Sequence, residues 1–322
     1  MKNVTIFGGG TGMSTLLKGL KEFPLDITSV VSVCDDGKST GKLRKEFNIP
    51  AMGDIRRVMI SLSETEPLME KLLNYRFSSN SELNEHTVGN LLLTAGTQIT
   101  GNLSDGIRSI SKVLNLKGKV IPFSEDNIVL SATMEDGSVI NGEHNITGSP
   151  LKIKKVYYKE EPKICEEVLD AIKSSDLIIL SMGSLYTSII PNLLSKKIRK
   201  GLDSTKAKIM YVCNMVTQPG ETDDFKVSDH LKVLNSYLGT HKIDIVVANT
   251  GSIDKEVAEK YSTLEQKDPV LFDKENIDCD TILNNYVTIN DGVIRHNVEK
   301  LSLDIYSYLI DEDISKYWLN TL

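Results

Sequence analysis

No run of apolar residues in this 322-residue chain approaches the ~20 that a membrane-spanning helix needs. The first residues, Lys2-Asn3-Val4-Thr5-Ile6-Phe7, enter a strand-like run directly, without the apolar stretch and small-residue cleavage site of a secretory signal. Cysteine is sparse. Cys34, Cys165, Cys213 and Cys279 are scattered and form no CxxC or metal-ligand spacing, which excludes a structural zinc site and fits a reducing compartment. A cytoplasmic protein is expected. Basic charge is also short: 37 Lys and Arg against 44 Asp and Glu give a net charge of -7. That balance argues against non-specific nucleic-acid binding. It leaves room for a small anionic ligand, because backbone donors can hold phosphate against an unfavourable overall field. The five histidines, His86, His144, His230, His241 and His296, stand in no HxxxH or HExxH arrangement, and no Ser-His-Asp triad can be assembled. No internal repeat, low-complexity segment or Pro/Gly/Ser-rich linker divides the chain, so residues 1–322 are read as one domain.

Alternating strand and helix patterns are abundant. Val4 to Phe7 reads as a buried strand, Gly8 to Gly12 as a tight turn, Met13 to Glu22 as a helix with Leu16, Leu17 and Leu20 on one face, and Ile27 to Val33 as a second buried strand. This βαβ unit implies a parallel sheet. Residues 53–114 read as mostly helical. Residues 120–158 show short alternating runs and turn residues, expected to form a small antiparallel β insertion. Strands resume at Leu177 to Leu180, Lys208 to Cys213 and Ile243 to Ala248, with helices between them and at the tail. The fold class is α/β: a Rossmann-like, doubly wound, mainly parallel sheet with helices on both faces and a small β-rich insertion.

Four apolar strands run straight into loops of small polar residues: Gly8 to Gly12, Cys34 to Gly41, Ser181 to Ser188, and Asn214 to Thr222. In a parallel sheet such loops share the carboxyl edge, where open α/β folds bind ligands. The candidate phosphate cradle is Gly8, Gly9, Gly10, Thr11 and Gly12, ahead of a helix N-terminus. The dinucleotide fingerprint fails there because its third glycine falls on Met13, and a plain tight turn is the alternative. Gly37-Lys38-Ser39-Thr40 is not a P-loop, since Ser32 stands where the leading glycine belongs. Asp35 and Asp36 are candidate ligands for Mg²⁺ or for ribose hydroxyls, or else two solvated turn aspartates. Gly183 and Ser184 open a helix, where they can donate to an anion or simply cap. Asn214, Thr217 and Gln218 supply neutral donors and acceptors suited to a sugar or base.

Seven strings, taken in order, resemble the CofD/YvcK family: Gly8-Gly9-Gly10-Thr11-Gly12, Asp35-Asp36-Gly37-Lys38-Ser39-Thr40-Gly41, Gly53-Asp54-Ile55-Arg56, Gly89-Asn90-Leu91, Gly183 to Asn192, Asn214 to Thr222, and Ile294-Arg295-His296. They span nearly the whole chain. The family holds 2-phospho-L-lactate transferases, which move a phospholactyl group from a guanosine-diphosphate carrier onto a deazaflavin precursor. It also holds a branch called gluconeogenesis factors, associated with cell shape and carbon metabolism and with UDP-sugar binding. The Gln218-Pro219-Gly220-Glu221-Thr222 continuation and the Ile294-Arg295-His296 string look like the second branch. The resemblance adds Ser39, Asn90, Asn192, Tyr261 and Arg295 to the candidate ligand contacts, with Tyr261 stacking on a base or sugar and Arg295 gripping a diphosphate. Lys38 and Met182 depart from the family pattern, which has small residues and proline at those places. The resemblance implies a UDP-sugar-binding regulator, its ligand UDP-N-acetylglucosamine, with a protein partner and self-association both allowed. The alternative it implies is a transferase using a nucleotide-diphosphate donor and Mg²⁺.

Overall fold

The computed structural model describes residues 1–64, 67–290 and 293–319, and their side chains except those of Lys38, Asn290 and residues 312–319. Strand β1 (Lys2–Gly8) leads into helix α1 (Gly10–Leu20) and strand β2 (Leu25–Val31). Helices α2 (Lys38–Phe47), α3 (Gly53–Leu62), α4 (Pro67–Asn74), α5 (Val88–Thr100) and α6 (Leu103–Val113) fill the long crossover to β3 (Lys119–Pro122). A three-stranded antiparallel sheet follows, made of β4 (Leu130–Met134), β5 (Val139–Asn141) and β6 (Ile153–Tyr158), with the short helix α7 (Glu143–Thr147) between the last two. The α/β alternation then returns through α8 (Glu166–Ser174), β7 (Leu177–Leu180), α9 (Lys196–Ser204), β8 (Lys208–Val212), α10 (Val227–Tyr237), β9 (Ile245–Asn249), α11 (Lys255–Lys260) and β10 (Asp280–Asn284). The hairpin β11 (Val287–Asn290) and β12 (Val293–His296) and the helix α12 (Val298–Leu319) complete the fold.

Seven strands form one parallel sheet in the order β10-β9-β8-β7-β1-β2-β3. β1 lies between β2 and β7, with Val4 opposite both Ile27 and Leu177. The winding reverses there, so the loops after β1 and β7 part to opposite faces and leave a crevice, the usual ligand position in such sheets. Strand alternation divides the core. Val4 and Ile6 face one apolar layer with α1, α3, α5, α6 and α12, while Phe7 and Val30 face the other with α8, α9, α10 and the insertion.

Three details differ from the sequence reading. The β-rich segment over 120–158 divides: β3 joins the main sheet beside β2, and the antiparallel sheet begins only at Leu130. Lys38 to Phe47 is a helix, whereas the string from Asp35 to Gly41 reads as loop by composition. Edge strand β10 and the β11–β12 hairpin lack the continuous apolar runs that betray buried strands; β10 sits at the sheet margin with much of its surface exposed.

Candidate functional site

Two adjoining cavities open at the carboxyl edge, of about 350 and 610 Å³, and both are lined by Thr11 and Gly12. The turn that separates them is tightly enclosed. Gly10 has φ +64, in the left-handed region where a branched side chain is strained. A Cβ on Gly12 would fall 1.2 Å from the Met182 carbonyl oxygen, and one on Gly9 would fall 2.5 Å from Asp54 Oδ2. The glycines therefore let the β7 loop and α3 close onto the start of α1. The Asp54 carboxylate accepts the Gly10 N–H, so one donor of the expected phosphate cradle is already engaged.

The smaller cavity is acidic. Asp35, Asp54 and Glu143 line it with Arg57, Ser32, Gly183, Ser184, Thr187 and Ser188. Burial, then the Asp35 charge, raises the Asp54 carboxyl to about 6, against the opposing pull of Arg57, whose Nη1 stands 3.2 Å from Asp54 Oδ1. Glu143, from α7, is pushed up to about 7 by burial first and by Asp35 next. Near-neutral carboxyls that repel one another hold protons readily and exchange them for a cation.

Asp35 and Asp36 do not converge as the proposed metal pair. Asp35 lines the cavity and accepts the Gly37 N–H at 3.0 Å, whereas Asp36 Oδ1 accepts the His144 N–H at 2.8 Å and ties α2 to the insertion. The physical reason is that the start of α7 engages the Asp36 carboxylate, which leaves Asp35 alone at the cavity. Among the described residues no three His, Cys, Asp or Glu side chains stand close enough to enclose a metal ion.

The larger cavity has a different chemistry. Asn214, Met215, Val216, Thr217, Gln218 and Pro219 from the β8 loop line it, together with Lys267, Ile294, Arg295 and His296. Asn214 Nδ2 donates to the Gly183 carbonyl at 2.8 Å, and Ser184 Oγ donates to Gln218 Oε1 at 2.8 Å. Gln218 Nε2 donates in turn to Glu221, which also accepts the Tyr186 N–H and the Thr187 hydroxyl. Burial raises Glu221 to about 7. This network fixes the β7 and β8 loops relative to each other. His296 Nε2 donates to the Cys213 carbonyl at 3.2 Å, holding β12 over the end of β8, and burial drives its pKa down to about 4, so the ring is neutral. Arg295 beside it is exposed, and among the described residues its side chain has no hydrogen bond or ion pair.

Four sequence candidates lie behind the cleft rather than on it. Ser39 Oγ and Asn90 Nδ2 belong to a buried network with His86. Asn192 is fully buried, and its Nδ2 donates to the Ser188 carbonyl. Tyr261 is only 5 % exposed, packs in the core, and its hydroxyl accepts the Ile294 N–H at 2.8 Å, so stacking on a ligand is replaced by support of the strand that carries Arg295. Of the two departures from the family pattern, Met182 is buried and supplies the backbone that crosses Gly12, while the Lys38 side chain lies outside those described. Sequence reasoning did not select Asp54, Arg57, Glu143 or Lys267. Asp54 stands in one of the matched strings and was within reach; Glu143, in a five-residue helix of the insertion, gave no signal.

The family model for 2-phospho-L-lactate transferase CofD matches residues 4–287. A gluconeogenesis factor from Bacillus subtilis is 45 % identical over 312 residues, covering 96 % of this chain and 97 % of that protein. One from Halalkalibacterium halodurans is 44 % identical over 305 residues, covering 94 % of each. A crystal structure of a protein from Bacillus halodurans superimposes with a TM-score of 0.92 at 44 % identity, covering 95 % of this chain and 99 % of that one.

Proposed function

The chain belongs to the CofD family, and from that premise we propose that it is a regulatory protein that binds a nucleotide-diphosphate sugar, UDP-N-acetylglucosamine in the first place. One observation carries this reading: the larger cavity places Arg295, the amides Asn214 and Gln218, and Lys267 with its Glu265 partner around a space that opens onto the glycine turn. An arginine fork suits a diphosphate, and amides suit the edges of a sugar or base. Cell-wall precursor supply is the signal such a ligand conveys, and cell shape and carbon metabolism are the processes it governs, in the cytoplasm and through a protein partner. The test is calorimetry of UDP-N-acetylglucosamine, UDP-glucose and GDP against the apo protein. Binding of the UDP-sugars over GDP supports the proposal, and equal or absent binding of all three removes it.

The carboxylates of the smaller cavity favour a second reading, a transferase with a nucleotide-diphosphate donor. Mg²⁺ needs only one or two carboxylates when ligand phosphates and water complete its shell. Asp35 and Asp54 face one cavity and repel each other, so they fit that requirement better than Asp35 and Asp36 do. Bound there, Mg²⁺ supplies charge neutralisation for phosphate oxygens. Arg57 and the start of α1 orient the donor, and Glu143 can hold or release a proton near neutral pH. Turnover of a GDP-linked phospholactyl donor with a deazaflavin acceptor decides for this reading.

A further inference from the structure

One arginine is absorbed by neither cavity. Arg56, on α3, is 7 % exposed, and among the described residues no hydrogen bond or ion pair reaches its guanidinium. Its Nε is sealed from solvent without an acceptor. A buried cation left unpaired costs several kcal/mol in order of magnitude. The neighbouring charges do not resolve this: Arg57 and Arg76 oppose the charge of Arg56, and Asp54 and Asp35 favour it without bonding it.

The stem of Arg56 lies on the start of α5. A Cβ on Gly89 would come within 2.7 Å of Arg56 Cδ, so only glycine leaves the arginine in place. At that helix start the Val88 N–H donates to the Tyr75 carbonyl and the Asn90 N–H to Thr87 Oγ1, but among the described residues the Gly89 N–H meets no acceptor. Asn90 Oδ1, in the same turn, is also sealed without a partner. The Gly53-Asp54-Ile55-Arg56 and Gly89-Asn90-Leu91 strings, far apart in sequence, meet here.

We propose that Arg56 and the first turn of α5 form a second oxyanion subsite, for a phosphate-class group, distinct from the Arg295 cavity. The guanidinium fork, the buried Gly89 N–H, the positive end of a 13-residue helix and the nearby Arg76 all favour a multiply charged oxyanion. Asp54 and Asp35 act on Arg56 only through space, so an anion bound by the guanidinium competes with their charge.

The experiment melts wild type, Arg56→Met, Arg56→Lys and Arg295→Ala in inorganic phosphate, with chloride and acetate at equal ionic strength as controls. Tungstate soaked into wild-type crystals and located by anomalous scattering marks the position independently. Phosphate is expected to raise the wild-type melting temperature above both controls. Arg56→Met should lose that increment, and its melting temperature without phosphate should be no lower than wild type, because an apolar stem replaces an unpaired buried charge. Arg56→Lys should keep part of the increment and Arg295→Ala all of it. That last outcome separates this subsite from the UDP-sugar reading, which Arg295→Ala tests alone. An increment that survives in Arg56→Met, an increment from acetate as large as that from phosphate, or tungstate bound only at the glycine turn overturns the proposal. If Arg56→Met does not fold, the tungstate position decides by itself.

Discussion

The two cavities at the carboxyl edge share Thr11 and Gly12, yet they are built for opposite charges. The smaller gathers Asp35, Asp54 and Glu143 around one arginine; the larger is lined by Arg295, amides, a neutral histidine and Lys267, which is paired with Glu265. An anionic ligand enters the larger half directly. In the smaller half it meets carboxylates that must first hold protons or a cation. A single turn thus serves two electrostatic environments, and a ligand confined to the larger one should bind without the dependence on pH and divalent cations that the smaller one would impose.

The largest expected effect comes from the turn both halves share. Gly10→Val places a β-branched residue at φ +64, a conformation that costs about 1–3 kcal/mol, and moves the start of α1. UDP-N-acetylglucosamine affinity should fall more than about a hundredfold, which is more than about 2.7 kcal/mol, while the apo protein still melts cooperatively; calorimetry with melting of the variant checks this. Undiminished affinity would show that the turn is structural only.

Arg295→Ala tests the larger half alone. Loss of a charge-assisted grip worth about 1.5–3 kcal/mol should weaken UDP-N-acetylglucosamine roughly ten- to a hundredfold. Arg295→Lys should recover part, because an ammonium lacks the planar fork. Apo stability should move by no more than about half a kcal/mol, since the side chain is exposed. Equal affinities in the three proteins would remove Arg295 from the site.

The smaller half is tested by pH. The folded Asp54 pKa, about 6, lies above its ordinary 3.8, so its most favourable contribution to stability is present below the ordinary value and is lost as pH rises through 6. Glu143 extends the loss from its ordinary 4.5 to about 7. Asp54→Asn should therefore melt progressively higher relative to wild type as pH rises from about 4 to about 6, and the gap should level off above that. Mg²⁺ at the upper pH should narrow the gap by stabilising wild type more. A pH-independent difference would mean that the carboxylates do not share charge as the geometry requires.

Tyr261→Phe should give the smallest change in binding. Removing the hydroxyl leaves the Ile294 N–H without its acceptor and should lower stability by about 1–3 kcal/mol. Affinity should fall by less than in Arg295→Ala, because the ring reaches no ligand. A loss as large as that of Arg295→Ala, in a protein that melts normally, would restore the stacking role.

Much of the cleft was legible because backbone and spacing carried it. Gly8 to Gly12, Gly183-Ser184 and the Asn214 loop each follow an apolar run, and parallel strands must end at one edge. What failed were statements about where side chains point. Asp35 and Asp36 look equivalent in sequence, but only Asp35 reaches the cavity, because the insertion claims Asp36 through His144. Tyr261 and Asn90 read as ligand contacts and are buried supports. β10 was missed because an edge strand need not be apolar on both faces.

The sequence by itself determined the parallel α/β sheet and the gathering of the loops at one edge, since hydrophobic period and glycine placement are local properties, whereas the order of the strands came from the tertiary structure. Only the tertiary structure decided the division of the cleft. Glu143 comes from the insertion, Asp54 from the first helical block and Arg295 from a late hairpin. The raised pKa values of Asp54 and Glu143 arise from burial and from the charge of Asp35, both set by contacts between segments distant in the chain.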